Sequence, residues 1–247
     1  MMIGQKIVVV GGTAGIGLAV ARNAADCGAE VYIGSSDAQK LESTLSALQG
    51  VRGAVVDVGN EESVAHFFSG ISEIDHLVST VGPTHRPSAV IETQLEEAQI
   101  LYKIKFWGQF LIAKHGAPKV QHNGSITLTS GILSARPVAG LGVLASVNAG
   151  IEALVRTLAL ELAPRRVNTV CPGFIDSGKL WKDLPAEERE AKMRDKACLG
   201  SPYRSGGPPK RRCKKLPLHH SKSLCHRPDH HRRWRGFADL VRFLSIT

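Results

Sequence analysis

Long apolar runs and a cysteine framework are missing from this 247-residue chain, and no secretory leader is expected. No apolar run reaches the ~18 residues of a membrane span. The first ten residues are a short apolar run entering a glycine cluster, without the charged start and cleavage site of a leader. Five cysteines, at positions 27, 171, 198, 213 and 225, are odd in number and scattered. That pattern argues against disulfides and makes the cytoplasm the expected compartment. Repeats and low-complexity linkers are lacking in the first 198 residues. Charged residues make up 21% and hydrophobic residues 43% of the chain, a balance that supports a core and excludes global disorder. The length suits one or at most two domains.

Acidic residues are nearly absent from one end. Residues 1–198 carry 19 Lys+Arg and 20 Asp+Glu, a net of −1, whereas residues 199–247 carry 12 and 2, a net of +10. The formal charge of +9 therefore resides in the tail, and two compositions share one chain.

The first 198 residues alternate short β-branched runs with helical periods. Strands are expected at 7–10, 30–33, 53–56, 75–79, 125–129 and 167–171. Helices are expected at 15–27, 37–48 (capped by Asp37), 61–68, about 92–116 and 143–162. This alternation predicts right-handed crossovers and a parallel sheet covered on both faces. The fold class expected is α/β, a Rossmann-like doubly wound parallel sheet in a single domain.

The first strand runs directly into Gly11-Gly12-Thr13-Ala14-Gly15-Ile16-Gly17 and then a helix. Glycines let the backbone turn tightly and approach a pyrophosphate, while the helix N-terminus offers free N–H groups and a positive dipole. An ordinary tight turn is the plain alternative. With this loop the chain resembles the short-chain dehydrogenase/reductase family, and further motifs follow in order over residues 5–198. Val10 stands where the family's glycine motif begins with Thr. Asp57-Val58 matches the acidic position that contacts adenine in the family. Ser79-Thr80-Val81-Gly82 matches Asn-Asn-Ala-Gly and retains Gly82. Ser130 matches the catalytic serine. Pro172-Gly173-Phe174-Ile175 matches the segment beside the nicotinamide. The resemblance implies an NAD(P) cofactor held by Gly11, Thr13, Gly15, Ile16, Gly17, Asp57, Val58, Val81, Gly82, Pro172, Gly173 and Ile175.

At the end of the second strand, Ile33-Gly34-Ser35-Ser36 has no carboxylate to hold a ribose 2′-hydroxyl. Ser35 and Ser36 leave room for a 2′-phosphate and can donate to it, which favours NADP over NAD. The Arg that often clamps that phosphate is missing, and both serines are alternatively caps of the next helix.

The resemblance fails at the catalytic centre. The family's Tyr-x-x-x-Lys falls on Leu144 and Asn148. A phenol, with its pKa near ~10, needs a nearby cation to act as an acid near neutral pH. Leu144 has no proton to give and Asn148 no charge, although Asn148 retains the ability to bond a ribose hydroxyl. Lys105 replaces the family's Asn in the preceding helix. Ser130, Lys105 and His85 remain as candidate acids. Lys105 alternatively reads as a surface lysine, His85 as a loop residue and Ser130 as a strand-end serine. Trp107 and Trp181 read as packing residues, and Cys171 as a buried small residue.

From Leu199 the periodicities stop. The tail, residues 199–247, reads as the product of a displaced frame, with the last helix and strand of the family missing. Read one nucleotide later, the codons of Asp229–Arg235 permit Thr-Ile-Ile-Asp-Gly-Gly, the family's final strand, with upstream motifs in the same frame. The slip is expected at about 198–202. Nucleic-acid binding through the basic tail is the functional alternative, but the charge alone does not support it. Cys213, His219, His220, Cys225 and His226 fit no standard zinc spacing, so no metal is expected. The function expected is NAD(P)-dependent hydride transfer to or from a small carbonyl, alcohol or activated C=C substrate. The alternative is a dinucleotide-binding pseudoenzyme or sensor. A homo-oligomer, dimer or tetramer, is implied by the resemblance if the C-terminus is intact. Neither nucleic acid nor membrane is an expected partner.

Overall fold

The computed structural model describes residues 2–173. Six strands form one sheet: β1 Lys6–Val10, β2 Glu30–Ser35, β3 Arg52–Val55, β4 Ile74–Ser79, β5 Val120–Thr129 and β6 Arg166–Val170. Their order is β3-β2-β1-β4-β5-β6 and every neighbouring pair is parallel. This is the doubly wound dinucleotide-binding order, and its direction reverses between β1 and β4.

β1 shows why the sheet needs cover on both sides. Successive side chains point to opposite faces. Ile7 and Val9 join Val20, Ala21 and Ala24 of helix α1 (Gly15–Asp26) and Leu41 of α2 (Ala38–Ala47). Val8 and Val10 join Val64, Phe67 and Phe68 of α3 (Glu61–Ser69), Ile112 of α5 (Gly108–Gly116), and Ile151 of α6 (Gly142–Glu161). A strand with no polar face has to sit between two helical layers. Asp37 caps α2 by accepting from the Lys40 N–H at 2.9 Å, as its sequence position suggests.

The element boundaries differ at informative places. β2 extends to Ser35, so Ser35 belongs to the strand. β5 begins at Val120, five positions before its expected start, and its pairing with β4 shifts register between Ile74 and His76. The helix expected from about 92 starts at Leu95, as α4 (Leu95–Leu101). Residues 89–93 instead form a turn in which Thr93 N–H and Oγ1 both donate to the Ala89 carbonyl. A π-helical turn, Tyr102–Trp107, then separates α4 from α5. One wide turn rotates every later residue about the axis, which is how such turns re-aim side chains at functional sites.

α6 has 20 residues and a mean hydropathy of 1.5 over its most apolar window, enough by length and composition for a membrane span. The sequence reading found no such run. In this fold Val147, Asn148, Ile151 and Val155 are buried beneath the sheet, and the helix packs on β6, the role of a core helix.

Candidate active site

A cleft of about 340 Å³ opens at the C-terminal ends of β1, β2 and β4, where the strand order reverses. Its floor is the glycine loop. Gly11 has φ +88°, and a Cβ there would lie 2.7 Å from Thr80 Oγ1. A Cβ on Gly17 would lie 2.2 Å from the Gly11 carbonyl oxygen. Both positions exclude side chains, because the loop folds onto itself. Thr80 locks it: its hydroxyl donates to the Gly11 carbonyl at 3.1 Å and its N–H to Val10 O at 2.9 Å. Thr80 was only an unmatched letter in the motif; its place in the segment after the fourth strand was the available signal. Gly11, Thr13, Gly15 and Ile16 line the cleft together with Val81 and Gly82. Gly17 lies beneath, buried in α1.

The far end of the cleft is lined by Ser35, Ser36, Asp37 and Lys40. Thr13 Oγ1 and Ser35 Oγ share a hydrogen bond of 3.0 Å, which ties the glycine loop to the end of β2. Ser35 Oγ also accepts from Asp37 N–H at 3.2 Å. Ser35 is thus a loop tie, whereas Ser36 stands exposed at the rim. The cation missed in the sequence is Lys40. It lies one helical turn along α2, and its ammonium pairs with Asp37 at 2.5 Å. That pairing, with the backbone bond from Lys40, holds the Asp37 carboxyl below its ordinary range. Val56, Val58 and Ile104 form an apolar wall. Asp57 is not among the lining residues; its Oδ1 accepts from Gly59 N–H at 2.8 Å in an exposed turn.

The candidate catalytic groups gather at the ends of β5 and β6. Ser130 follows β5 and is buried, with its N–H donating to Val170 O at 2.9 Å. Lys105, from the π-helical turn, donates through Nζ to the Ser130 carbonyl at 3.0 Å. It is half-buried, and loss of solvent lowers its pKa to about 8, only partly opposed by the Cys171 thiol. Lys105 is therefore no surface lysine. Gln109 holds this corner. Fully buried, it donates to Lys105 O at 3.0 Å and Thr129 O at 2.9 Å, and accepts from Thr129 N–H at 2.7 Å. The amide thereby finishes the ladder of β5 and fixes the π-helical turn to it.

Leu144 packs against the hydrophobic core. Asn148, one turn along α6, is 1% exposed and lies against Gly131, where a Cβ would be 2.7 Å from Asn148 Nδ2. Its Oδ1 has no hydrogen-bond partner among the described residues. Such an orphaned acceptor is costly to bury and is suited to a ribose hydroxyl. One further turn brings Glu152, unnoticed in the sequence. Its Oε1 accepts from Ser130 Oγ at 2.6 Å, Ser134 Oγ at 2.5 Å and Cys171 Sγ at 3.5 Å. The spacing Leu144, Asn148, Glu152 was the available signal, since positions four apart share a helix face. Cys171 is half-buried and bonded rather than a plain packing residue.

His85 is half-buried in the loop after β4, and no hydrogen bond among the described residues joins it to this cluster. Pro172 O accepts from Ile132 N–H at 2.9 Å, which brings Pro172 and Gly173 next to the Ser130 corner. Ile175 and Trp181 lie outside the described residues, as do 199–247. Trp107 meets Phe106 and Phe110 edge-on but stays 51% exposed.

A dinucleotide fits this cleft by its own geometry: a tight loop in which Gly17 packs beneath Gly11, and hydroxyls with one cation at the far end. The unpartnered buried acceptor of Asn148 lies outside the cleft lining, against Gly131. Known proteins agree. A family model described as enoyl-(acyl carrier protein) reductase matches residues 10–205. The short-chain dehydrogenase/reductase ucsE of Acremonium is 35% identical over 191 residues, 69% of this chain and 72% of the relative. The human mitochondrial dehydrogenase/reductase SDR family member 2 is 34% identical over 204 residues, 74% of this chain and 73% of the relative. A solved small-chain dehydrogenase in complex with NADPH aligns with a TM-score of 0.64 at 35% identity, covering 77% of this chain and 80% of that one. With the family model matching most of its length, this chain belongs to the short-chain dehydrogenase/reductase family of oxidoreductases.

Proposed function

We propose that this protein is an NADPH-dependent reductase of a small carbonyl or activated C=C substrate, with Lys105 as the acid in place of the absent phenol. The observation that carries the reading is the Lys105 ammonium, held 3.0 Å from the Ser130 carbonyl by a π-helical turn at a pKa of about 8. A general acid works best when its pKa lies near the working pH.

Bound NADPH supplies the hydride. The chain's residues do the rest. Gly11 and Gly15, with Gly17 packed beneath them, would hold the pyrophosphate at the N-terminus of α1. Ser36 and Lys40, with Ser35 tying the loop behind them, would receive the 2′-phosphate. Asn148 Oδ1 would accept from a ribose hydroxyl. Lys105 gives one proton to the substrate as hydride arrives and is reprotonated from solvent. The matching family model is described as an enoyl reductase and a similar solved structure holds NADPH, which supports both the cofactor and the C=C option.

Fluorescence titration with NADPH and NADH, followed by a panel of ketones, aldehydes and enones, tests the reading. Tight NADPH binding with turnover that Lys105→Met abolishes supports it. Tight binding without turnover on any substrate overturns it in favour of a sensor.

Three further readings belong to the proposal. α6 carries exposed apolar positions, with Leu160 82% exposed, beside Ile100 and Trp107 on the preceding helical run. They support a homo-oligomer, to be checked by light scattering. The cytoplasm is the proposed compartment, checked by fractionation. Residues 1–198 are the proposed enzyme domain and 199–247 a frame-displaced tail, and the family match ends close to that boundary, at 205. DNA sequencing across codons 198–202 decides it; a single open frame without an Asp-Gly-Gly strand refutes the displacement.

A further inference from the structure

Among the described residues, Glu152 is the one carboxylate hydrogen-bonded into the catalytic corner, and nothing in the reaction above uses it. An ionised carboxylate only accepts hydrogen bonds. Each neighbour of its Oε1 must therefore donate: Ser130 Oγ at 2.6 Å, Ser134 Oγ at 2.5 Å and Cys171 Sγ at 3.5 Å. Each of these groups has a single proton. Ser130 and Ser134 have a second acceptor, the Gly131 carbonyl, at 3.4 and 3.2 Å. Bonds to a charged oxygen are shorter and roughly twice as strong as those to a neutral carbonyl, so the carboxylate wins.

We propose that Glu152 is a positioning residue that holds the protons of Ser130, Ser134 and Cys171 on one oxygen and so leaves Ser130 only lone pairs to offer the substrate. This rests on the reductase reading and divides the roles within it. Ser130 becomes the acceptor, Lys105 the donor. A site with one donor and one acceptor at the same corner takes a substrate that carries both, a carbonyl oxygen beside a hydroxyl or N–H. A serine free to rotate would act on a plain ketone equally well.

The geometry arises from three separate pieces of chain. α6 supplies Glu152 one turn beyond Asn148, the segment after β5 supplies Ser130 and Ser134, and the end of β6 supplies Cys171. None of the three is adjacent in sequence, and Glu152 has no covalent reason to face this corner.

The test uses the full chain with Glu152→Gln and Glu152→Asp. The first readout is independent of turnover: the rate of iodoacetamide alkylation at Cys171, followed by peptide mass spectrometry. A neighbouring carboxylate disfavours the thiolate, so Glu152→Gln is expected to alkylate Cys171 about threefold faster or more, and Glu152→Asp to stay near the wild-type rate. The second readout is kinetic. Glu152→Gln is expected to lower kcat about tenfold on a hydroxy-ketone while NADPH affinity stays within twofold, with partial rescue in Glu152→Asp. The preference for the hydroxy-ketone over the plain ketone should disappear with it. An unchanged alkylation rate, or an unchanged preference, overturns the proposal. If the wild type turns over no ketone, aldehyde or enone, the reductase reading falls, and the alkylation comparison alone decides the carboxylate's role. Should Glu152→Gln not fold, Glu152→Ala carries the same comparison against Glu152→Asp.

Discussion

The cofactor half of the cleft and its catalytic half are built by different rules. Around β1, β2 and α1, the important residues are neighbours in sequence, and backbone geometry dominates. Gly11, Gly15 and Gly17 lie within seven positions, with Ser35 and Thr80 as more distant ties. Around β5, β6, α6 and the π-helical turn, five side chains from four segments converge: Lys105, Gln109, Ser130, Asn148 and Glu152. The first half keeps the family's pattern, and the second has lost its Tyr and Lys pair, for which Lys105 is the proposed replacement. A pyrophosphate cradle admits few solutions, because any Cβ would collide with the loop. A proton source needs only a group of suitable pKa at the right distance, so it can be supplied from another element.

Substitutions on either side sharpen that contrast. Removing the acid should have the largest effect. Lys105→Met is expected to lower kcat by ~10²–10⁴-fold while NADPH affinity, measured by fluorescence, stays within about twofold. The wild-type reduction rate should fall as pH rises through about 8, where Lys105 loses its proton, and Lys105→Arg should move that limb upward. Stability should move the opposite way. The folded pKa lies below the unfolded one, so the unfolded chain binds more protons between them and stability rises with pH across that window. Lys105→Met removes this burden and should raise the melting temperature at neutral pH, a gain at the expense of activity. A melting temperature lowered with activity would indicate a structural lysine.

Gln109→Leu comes next. It strands the Thr129 N–H and carbonyl at the end of β5. Each unpaired group costs ~1–3 kcal/mol, so urea melts should show a loss of about 2–4 kcal/mol with kcat reduced as Lys105 drifts. The matching change in the cofactor half is Gly17→Ala, whose Cβ meets the Gly11 carbonyl. Overpacking of this kind costs ~1–3 kcal/mol, and here NADPH and NADH binding should weaken together. The smallest effect is expected for Lys40→Ala. Its side chain is 66% exposed, so solvent screens its pairing with any anion. NADPH affinity should fall about two- to fivefold and NADH affinity not at all. Equal losses for both cofactors would remove Lys40 from the phosphate site.

Much of the first half was legible in the residue order, and less of the second. The helix starting at Gly15, the cap at Asp37 and the parallel alternation follow from patterns a few residues long. Lys105 was visible as a replacement, yet whether it faced solvent or the site depended on a π-helical turn with no reliable sequence signal. Lys40 lies beyond the strand end in sequence, and α2 returns it to the cleft one turn later, a placement that no local pattern signals. Asp57 carried an expected adenine contact, whereas its carboxylate closes its own turn on Gly59.

By itself the sequence determined the fold class, the glycine cradle, the loss of the Tyr and Lys pair, and the change of composition near residue 198. These depend on local periodicity, on steric limits at single residues and on simple charge counts. Only the tertiary structure decided which polar groups meet at the corner where the Tyr and Lys pair is missing. The Ser130–Glu152 bond spans 22 positions and the Lys105–Ser130 bond 25. Contacts at that separation are set by how α6 and the π-helical turn pack against the ends of β5 and β6, and hydrophobic packing fixes those positions without reference to the polar residues it brings together.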